Sequence, residues 1–229
     1  MDAALKSDLL LFDCDGVLVD SELLASGLLA KALTAEGYAV TAADCRARYT
    51  GISMRSAIAL VEADRGHPLP EDFEDRMRAH DLAVFARELK PVPGIAEALA
   101  RIPTHKCVAS SGAPEKIRHS LTVTGLLGFF EPHLFSAHMV ARGKPAPDLF
   151  LFAAETMGVP PARCCVVEDS VAGIAAARAA GMLVLGFAGG SHAGDGYAAM
   201  LEKAGADIVF DAMADLPGLL GLQAMASRG

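Results

Sequence analysis

From about residue 93 onward the chain alternates short apolar runs with amphipathic stretches, and the apolar runs end in polar or reactive residues. Pro93-Gly94 opens a helical pattern whose apolar positions Ile95, Ala98, Leu99 and Ile102 share one face. Cys107-Val108-Ala109 follows as a strand ending at Ser110, and a helix runs from about Pro114 to Thr124. Leu134-Phe135-Ser136 reads as a strand, and Pro147 and Gly158 bracket the next helix. Cys164 to Val167 is a strand that ends at Glu168-Asp169. Ser170 caps a helix that stops at Gly181, and Val184 to Phe187 and Ile208 to Phe210 complete the strand set. Alternation of this kind predicts an α/β fold with a Rossmann-like core of parallel strands joined by crossover helices.

Residues 20–88 break the pattern. Strand signals nearly vanish there, and amphipathic stretches near 21–37, 42–49, 53–65 and 71–88 are separated by Gly37, Gly51 and Gly66-His67-Pro68. This predicts a small α-helical cap domain, 20–88, inserted into an α/β catalytic core made of 1–19 and 89–229. The connections fall near 16–20 and 89–93, beside the first strand, so the insertion can open and close over whatever that strand presents.

The first strand presents two carboxylates. Asp13 and Asp15 follow the apolar run Leu9-Leu10-Leu11-Phe12 directly. Alternation puts both on one face, while a chain turning out of the sheet at Gly16 can aim them at different targets. The arrangement suits a nucleophile beside an acid/base, both next to a cation. Asp-x-Asp-Gly also opens calcium loops, but here the later ligand positions fall near Leu18 and Leu24, and a strand-like run precedes the motif instead of a helix.

Composition narrows the partners. A chain of 229 residues that is 52% hydrophobic can bury a sizeable core, and none of its apolar runs approaches the length of a membrane span. The N-terminus lacks the basic region and following apolar stretch of a signal peptide, so a cytoplasmic location is expected. With 28 acidic and 20 basic side chains the formal charge is −8, which argues against nucleic acid and leaves attraction of an anionic substrate to local charge. The five cysteines are odd in number and show no C-x-x-C spacing, as expected of reduced thiols. Cys14, set between two carboxylates, is not a nucleophile, because they raise its pKa.

Asp13 and Asp15, Ser110 and Ser111, Lys144 within Gly143-Lys144-Pro145, and Glu168-Asp169 all follow strands or lie in loops at one end of the predicted sheet, where open parallel sheets bind ligands. Singly they are ordinary: a serine after a strand caps a helix, a lysine beside a proline is solvated, and Glu-Asp-Ser starts a helix. Together they suit phosphoryl transfer. Asp13 can form an aspartyl phosphate, and Asp15 can protonate the leaving oxygen and then deprotonate the attacking water. Asp13, Glu168 and Asp169 offer hard oxygens for Mg²⁺. Such an ion relieves the repulsion of two carboxylates, roughly 4 kcal/mol at about 4 Å and an effective dielectric of about 20. Ser110, Ser111 and Lys144 can hold the phosphoryl group.

That order resembles the haloacid dehalogenase-like hydrolase superfamily, whose four motifs appear as Asp13-Cys14-Asp15-Gly16-Val17-Leu18, Ser110, Gly143-Lys144-Pro145-Ala146-Pro147-Asp148, and Glu168-Asp169-Ser170 followed by Gly173. The group it most resembles is the beta-phosphoglucomutase-like phosphatases, and Phe12 to Glu22 is similar to the sugar-phosphate phosphatases within it, including 6-phosphogluconate phosphatases. The resemblance implies a Mg²⁺-dependent phosphatase acting on a small phosphorylated metabolite, with Asp15 also ligating the metal through its main-chain carbonyl. A phosphosugar mutase is the alternative. The mutase's cap histidine is matched here by Ala25, and its phosphate-holding arginine by Met54, with Arg55 one position on. Both departures weigh toward hydrolysis, and Asp15 argues against dehalogenation. Thr50-Gly51-Ile52-Ser53 looks like the cap's substrate-specificity loop. Glu22, Thr50, Gly51, Ser53 and Arg55 are the substrate-binding candidates, with Arg48 behind them. His192, after Gly189-Gly190-Ser191, is expected on a surface loop. The expected partner is a small phosphorylated metabolite, with no nucleic acid or membrane, for a monomer or weak dimer.

Overall fold

The computed structural model describes residues 7–222. Its first strand, β1 (Leu9–Phe12), is apolar throughout and buried on both faces, as the middle strand of a covered parallel sheet must be. Four helices follow without an intervening strand: α1 (Glu22–Ala35), α2 (Ala42–Tyr49), α3 (Met54–Arg65) and α4 (Phe73–Glu88). Then come α5 (Ile95–Arg101), β2 (His105–Ser110), α6 (Pro114–Val123), β3 (Leu134–Ser136), α7 (Asp148–Thr156), β4 (Cys164–Glu168), α8 (Val171–Ala179), β5 (Leu183–Phe187), α9 (Tyr197–Ala204), β6 (Ile208–Phe210) and α10 (Leu216–Leu219).

The six strands are parallel and lie in the order β3-β2-β1-β4-β5-β6. Strand alternation divides the core in two. Leu10 and Phe12 face one apolar layer with Cys165, Val167 and residues of α5 and α6, whereas Leu9 and Leu11 face another with Cys164, Val166 and residues of α7 and α8. The chain leaves β1 toward β2 and β3, then returns to β4 on the opposite side. The order therefore reverses between β1 and β4, and a crevice opens at their carboxyl ends. Register places Phe12 beside Val167, so the residues just beyond them, Asp13 and Glu168, are neighbours.

The helices α1–α4 carry a core of their own, built on Leu28, Leu29, Leu33, Val61, Phe73 and Met77. Thr41 starts α2 with a reciprocal capping box through Asp44, and Ser53 starts α3 by accepting the Ser56 amide. The segments entering and leaving this helical insertion lie side by side. The Asp20 amide donates to the Lys90 carbonyl at 2.9 Å, and the Val92 amide donates to the Leu18 carbonyl at 3.0 Å.

The strands agree with the sequence reading to within two residues at their ends. The helices α9 and α10 were not legible. Only Leu201 of α9 is buried, too little to mark a periodic face, and α10 spans a single turn. Among the described residues no helix is long and apolar enough to cross a membrane.

Leu11 is fully buried between β2 and β4, whereas Leu60 on α3 is 44% exposed. Leu11→Ala is expected to lower the unfolding free energy by about 2–5 kcal/mol in denaturant titration. Leu60→Ala should stay within about 0.5 kcal/mol of the wild type.

Candidate active site

The Asp13 amide donates to the Val167 carbonyl at 3.0 Å, extending the ladder one residue past β1. This carries the Asp13 carboxylate to the mouth of the crevice. There Asp13, Glu168 and Asp169 each offer an oxygen, all within 4.8 Å of one another, and all three residues are buried. Lys144 Nζ donates to Asp13 Oδ1 and to Glu168 Oε2, at 2.8 Å in both cases, and sits 4.9 Å from the centre of the Phe150 ring. Two of the three carboxylates thus share one ammonium. Burial and the Glu168 charge push Asp13 well above the usual carboxylate range, although Lys144 opposes them, and the same two causes lift Asp169.

Both carboxylate oxygens of Asp169 are buried without a hydrogen-bond partner. The imidazole Nε2 of His192 lies 3.1 Å from Asp169 Oδ2 but pairs with Tyr197 Oη at 3.0 Å, and that hydroxyl donates to the Asp169 carbonyl at 2.9 Å. A buried orphan carboxylate within excess negative charge, surrounded by hard oxygen donors, fits a divalent cation such as Mg²⁺. His192 itself departs from expectation. Its side chain is only 2% exposed, because the loop after β5 folds back over the strand ends and Ser191 fastens it to Asp20 Oδ1 through its hydroxyl at 2.7 Å. Two flanking glycines make the room: a Cβ on Gly16 or Gly190 would press on the His192 ring. Burial lowers the His192 pKa and keeps the ring neutral.

Asp15 stands beside this cluster with both oxygens engaged. Ser21 Oγ donates to Oδ1 at 2.6 Å, and Lys116 Nζ donates to Oδ2 at 3.2 Å. Between the two aspartates, burial followed by the Asp15 and Asp13 charges raises the Cys14 thiol well above its ordinary value, so it stays protonated and inert.

Ser110 ends β2, buried, with its hydroxyl accepting the Gly112 amide at 3.1 Å. Ser111 donates to the Gly51 carbonyl at 2.8 Å, tying the α2–α3 loop to the strand ends. Gly51 has φ +82°, and a Cβ there would fall 2.1 Å from Ser170 Oγ, so only glycine permits this approach. Thr50 donates to Glu22 Oε2 at 3.1 Å. Glu22, Thr50 and Gly51 line one cleft together with Asp13, Asp15, Ser110 and Ser111. Ser53 and Arg55 line a second cavity with His138 and Arg142. Arg48 turns to Asp64 and Tyr38 instead. Lys116 and Ser21 were not singled out from the sequence. Lys116 had a usable signal: Pro114 starts α6 just after the Ser110 loop, so a lysine in that first turn faces the strand ends.

Comparison with known proteins agrees with this geometry. The sequence profile of the haloacid dehalogenase-like hydrolases matches residues 8–181, and the chain belongs to this family. It is 34% identical to the 6-phosphogluconate phosphatase of Escherichia coli (strain K12), over 79% of this chain and 82% of that one. It is 31% identical to a phosphorylated carbohydrates phosphatase of Thermotoga maritima, over 75% of this chain and 81% of the relative. The crystal structure of a haloacid dehalogenase-like protein from Agrobacterium tumefaciens superposes with a TM-score of 0.79 at 39% identity, covering 94% of this chain and 98% of that one.

Gly16 adopts φ +78°, and a Cβ on it would meet Asp169 Oδ2 at 1.8 Å. Gly16→Ala is expected to cost about 1–3 kcal/mol of stability. By displacing Asp169 it should weaken Mg²⁺ binding, followed by calorimetry, by about 10–100-fold. Unchanged Mg²⁺ affinity would count against Asp169 as a ligand.

Proposed function

We propose that the protein is a Mg²⁺-dependent phosphatase that hydrolyses a small phosphorylated metabolite, a sugar phosphate, through an aspartyl phosphate on Asp13. The observation that carries this reading is the convergence of Asp13, Glu168, Asp169 and Lys144 at the β1/β4 crevice, with Asp15 beside them at the cleft. The sugar-phosphate specificity rests on the relatives' names, 6-phosphogluconate phosphatase and phosphorylated carbohydrates phosphatase.

The Asp13 carboxylate attacks phosphorus while Asp15 gives its proton to the departing oxygen. Asp15 then takes a proton from water, which attacks the aspartyl phosphate and frees Asp13 and phosphate. Lys144 orients Asp13 and adds positive charge, and the Ser110 hydroxyl and the Ser111 main-chain amide donate to the phosphoryl oxygens. Asp13, Glu168, Asp169 and the Asp15 carbonyl would hold Mg²⁺, which would supply the positive charge that lets an anionic carboxylate approach an anionic phosphate. Residues 20–88 act as the cap over a core of 1–19 and 89–229. Glu22, Thr50 and Gly51 meet the leaving group in the cleft, and Ser53 and Arg55 extend recognition from the neighbouring cavity. Ala25 lines the cleft where a mutase carries a histidine, which favours transfer to water over transfer to a second sugar hydroxyl. All five cysteines are buried and unpaired, in keeping with a cytoplasmic enzyme that works as a monomer or weak dimer.

Phosphate release across a panel of phosphorylated metabolites tests the reading. Asp13→Asn is expected to abolish turnover, since an amide is a poor nucleophile. Asp15→Asn should lower kcat by about 10²–10⁴-fold on a sugar phosphate. Exhaustive chelation should remove activity and added Mg²⁺ should restore it. Full activity after chelation, or near-wild-type release by Asp13→Asn, refutes the mechanism.

A further inference from the structure

We infer that Lys116 is a positioning residue for Asp15, seated by Asp81 of the helical insertion. This rests on the acid/base reading of Asp15 given above. A side chain that first donates a proton and later accepts one has to present the same geometry twice, whereas a free aspartate spreads over several rotamers. Asp15 is held from two sides. Ser21, close in sequence and buried, fixes Oδ1 at 2.6 Å, and Lys116 Nζ reaches Oδ2 at 3.2 Å from the first turn of α6.

Lys116 is in turn held by α4. Its Nζ lies 3.9 Å from Asp81 Oδ2 and 5.2 Å from the centre of the Phe85 ring. Asp81 and Phe85 are four residues apart on one helix, hence on one face. Asp81 is buried, and its Oδ1 has no hydrogen-bond partner, so it depends on the Lys116 charge. The loop after β1, helix α6 and helix α4 therefore meet at a single ammonium. Packing alone does not require a lysine here, since an apolar side chain would cover Phe85 without the desolvation cost of an ion. What the ammonium adds is a grip on Asp15 that tightens as α4 seats against α6. Asp15, Lys116 and Asp81 all line the catalytic cleft, so seating of the insertion and readiness of the acid/base are physically one event.

The test compares the wild type with Asp15→Asn, Lys116→Met and Asp81→Asn on two substrates. One is p-nitrophenyl phosphate, whose leaving group departs without a proton. The other is the best alkyl phosphate of the metabolite panel, whose leaving alkoxide needs one. For Lys116→Met we expect kcat on the alkyl phosphate to fall by about 10²-fold or more, with KM within about threefold and p-nitrophenyl phosphate affected less than about fivefold. Asp81→Asn should show the same selectivity with a smaller loss. Adding Lys116→Met to Asp15→Asn should cost little more than Asp15→Asn alone, since both act through one carboxylate. Equal losses on the two substrates, or a loss confined to KM, overturn the inference. If Asp15→Asn discriminates between the substrates and Lys116→Met does not, the inference fails while the acid/base reading stands. If Asp15→Asn does not discriminate, that reading fails and the inference goes with it. Circular dichroism checks the fold, and should Lys116→Met not fold, Asp81→Asn decides by the same criterion.

Discussion

The structure is organised around an electrostatic debt at the β1/β4 crevice. Three buried carboxylates, Asp13, Glu168 and Asp169, face the single ammonium of Lys144. Hydrophobic burial of the strands that carry them holds the cluster together against its own repulsion. Phe12 and Val167 lie side by side in register, so the carboxylates that follow cannot separate without breaking the sheet. A rigid apolar core thus stores an arrangement that favours positive charge, a demand that a divalent cation meets.

Close approach is the second theme. The loop between α2 and α3 reaches the strand ends because Gly51 has no side chain to strike Ser170. The turn after β1 reaches Asp169 because Gly16 has none to strike its carboxylate. In both places the absence of a carbon atom brings a loop of one segment against the polar end of another. The site is therefore assembled from small residues as much as from charged ones.

Much of this was legible from the sequence. The strands ending at Asp13, Ser110 and Glu168 announce themselves because each is a short apolar run cut off by a polar residue, and in a parallel sheet those ends share one edge. The four inserted helices were visible from their glycine boundaries. What was hidden depended on tertiary packing. His192 read as a loop residue because nothing local reveals that the chain folds back between Gly16 and Gly190. The sequence reading singled out neither Lys116 nor Asp81: Lys116 could be placed near the strand ends by Pro114, but its meeting with Asp81 depends on how α4 lies against α6. Arg55, one position from a family substrate residue, opens into a separate cavity, which spacing alone could not show.

The paired segments at the base of the insertion have a further consequence. The backbone bonds from Asp20 to Lys90 and from Val92 to Leu18 fix the two ends of the helical segment side by side. The entropy of closing a chain between fixed ends grows only with the logarithm of its length, about 0.6 kcal/mol for each doubling. The sheet is therefore almost indifferent to how much polypeptide hangs from this point. Variation in the size and content of the insertion is nearly free of thermodynamic cost to the sheet, so the helical segment can diverge while the strand ends that carry the carboxylates stay the same.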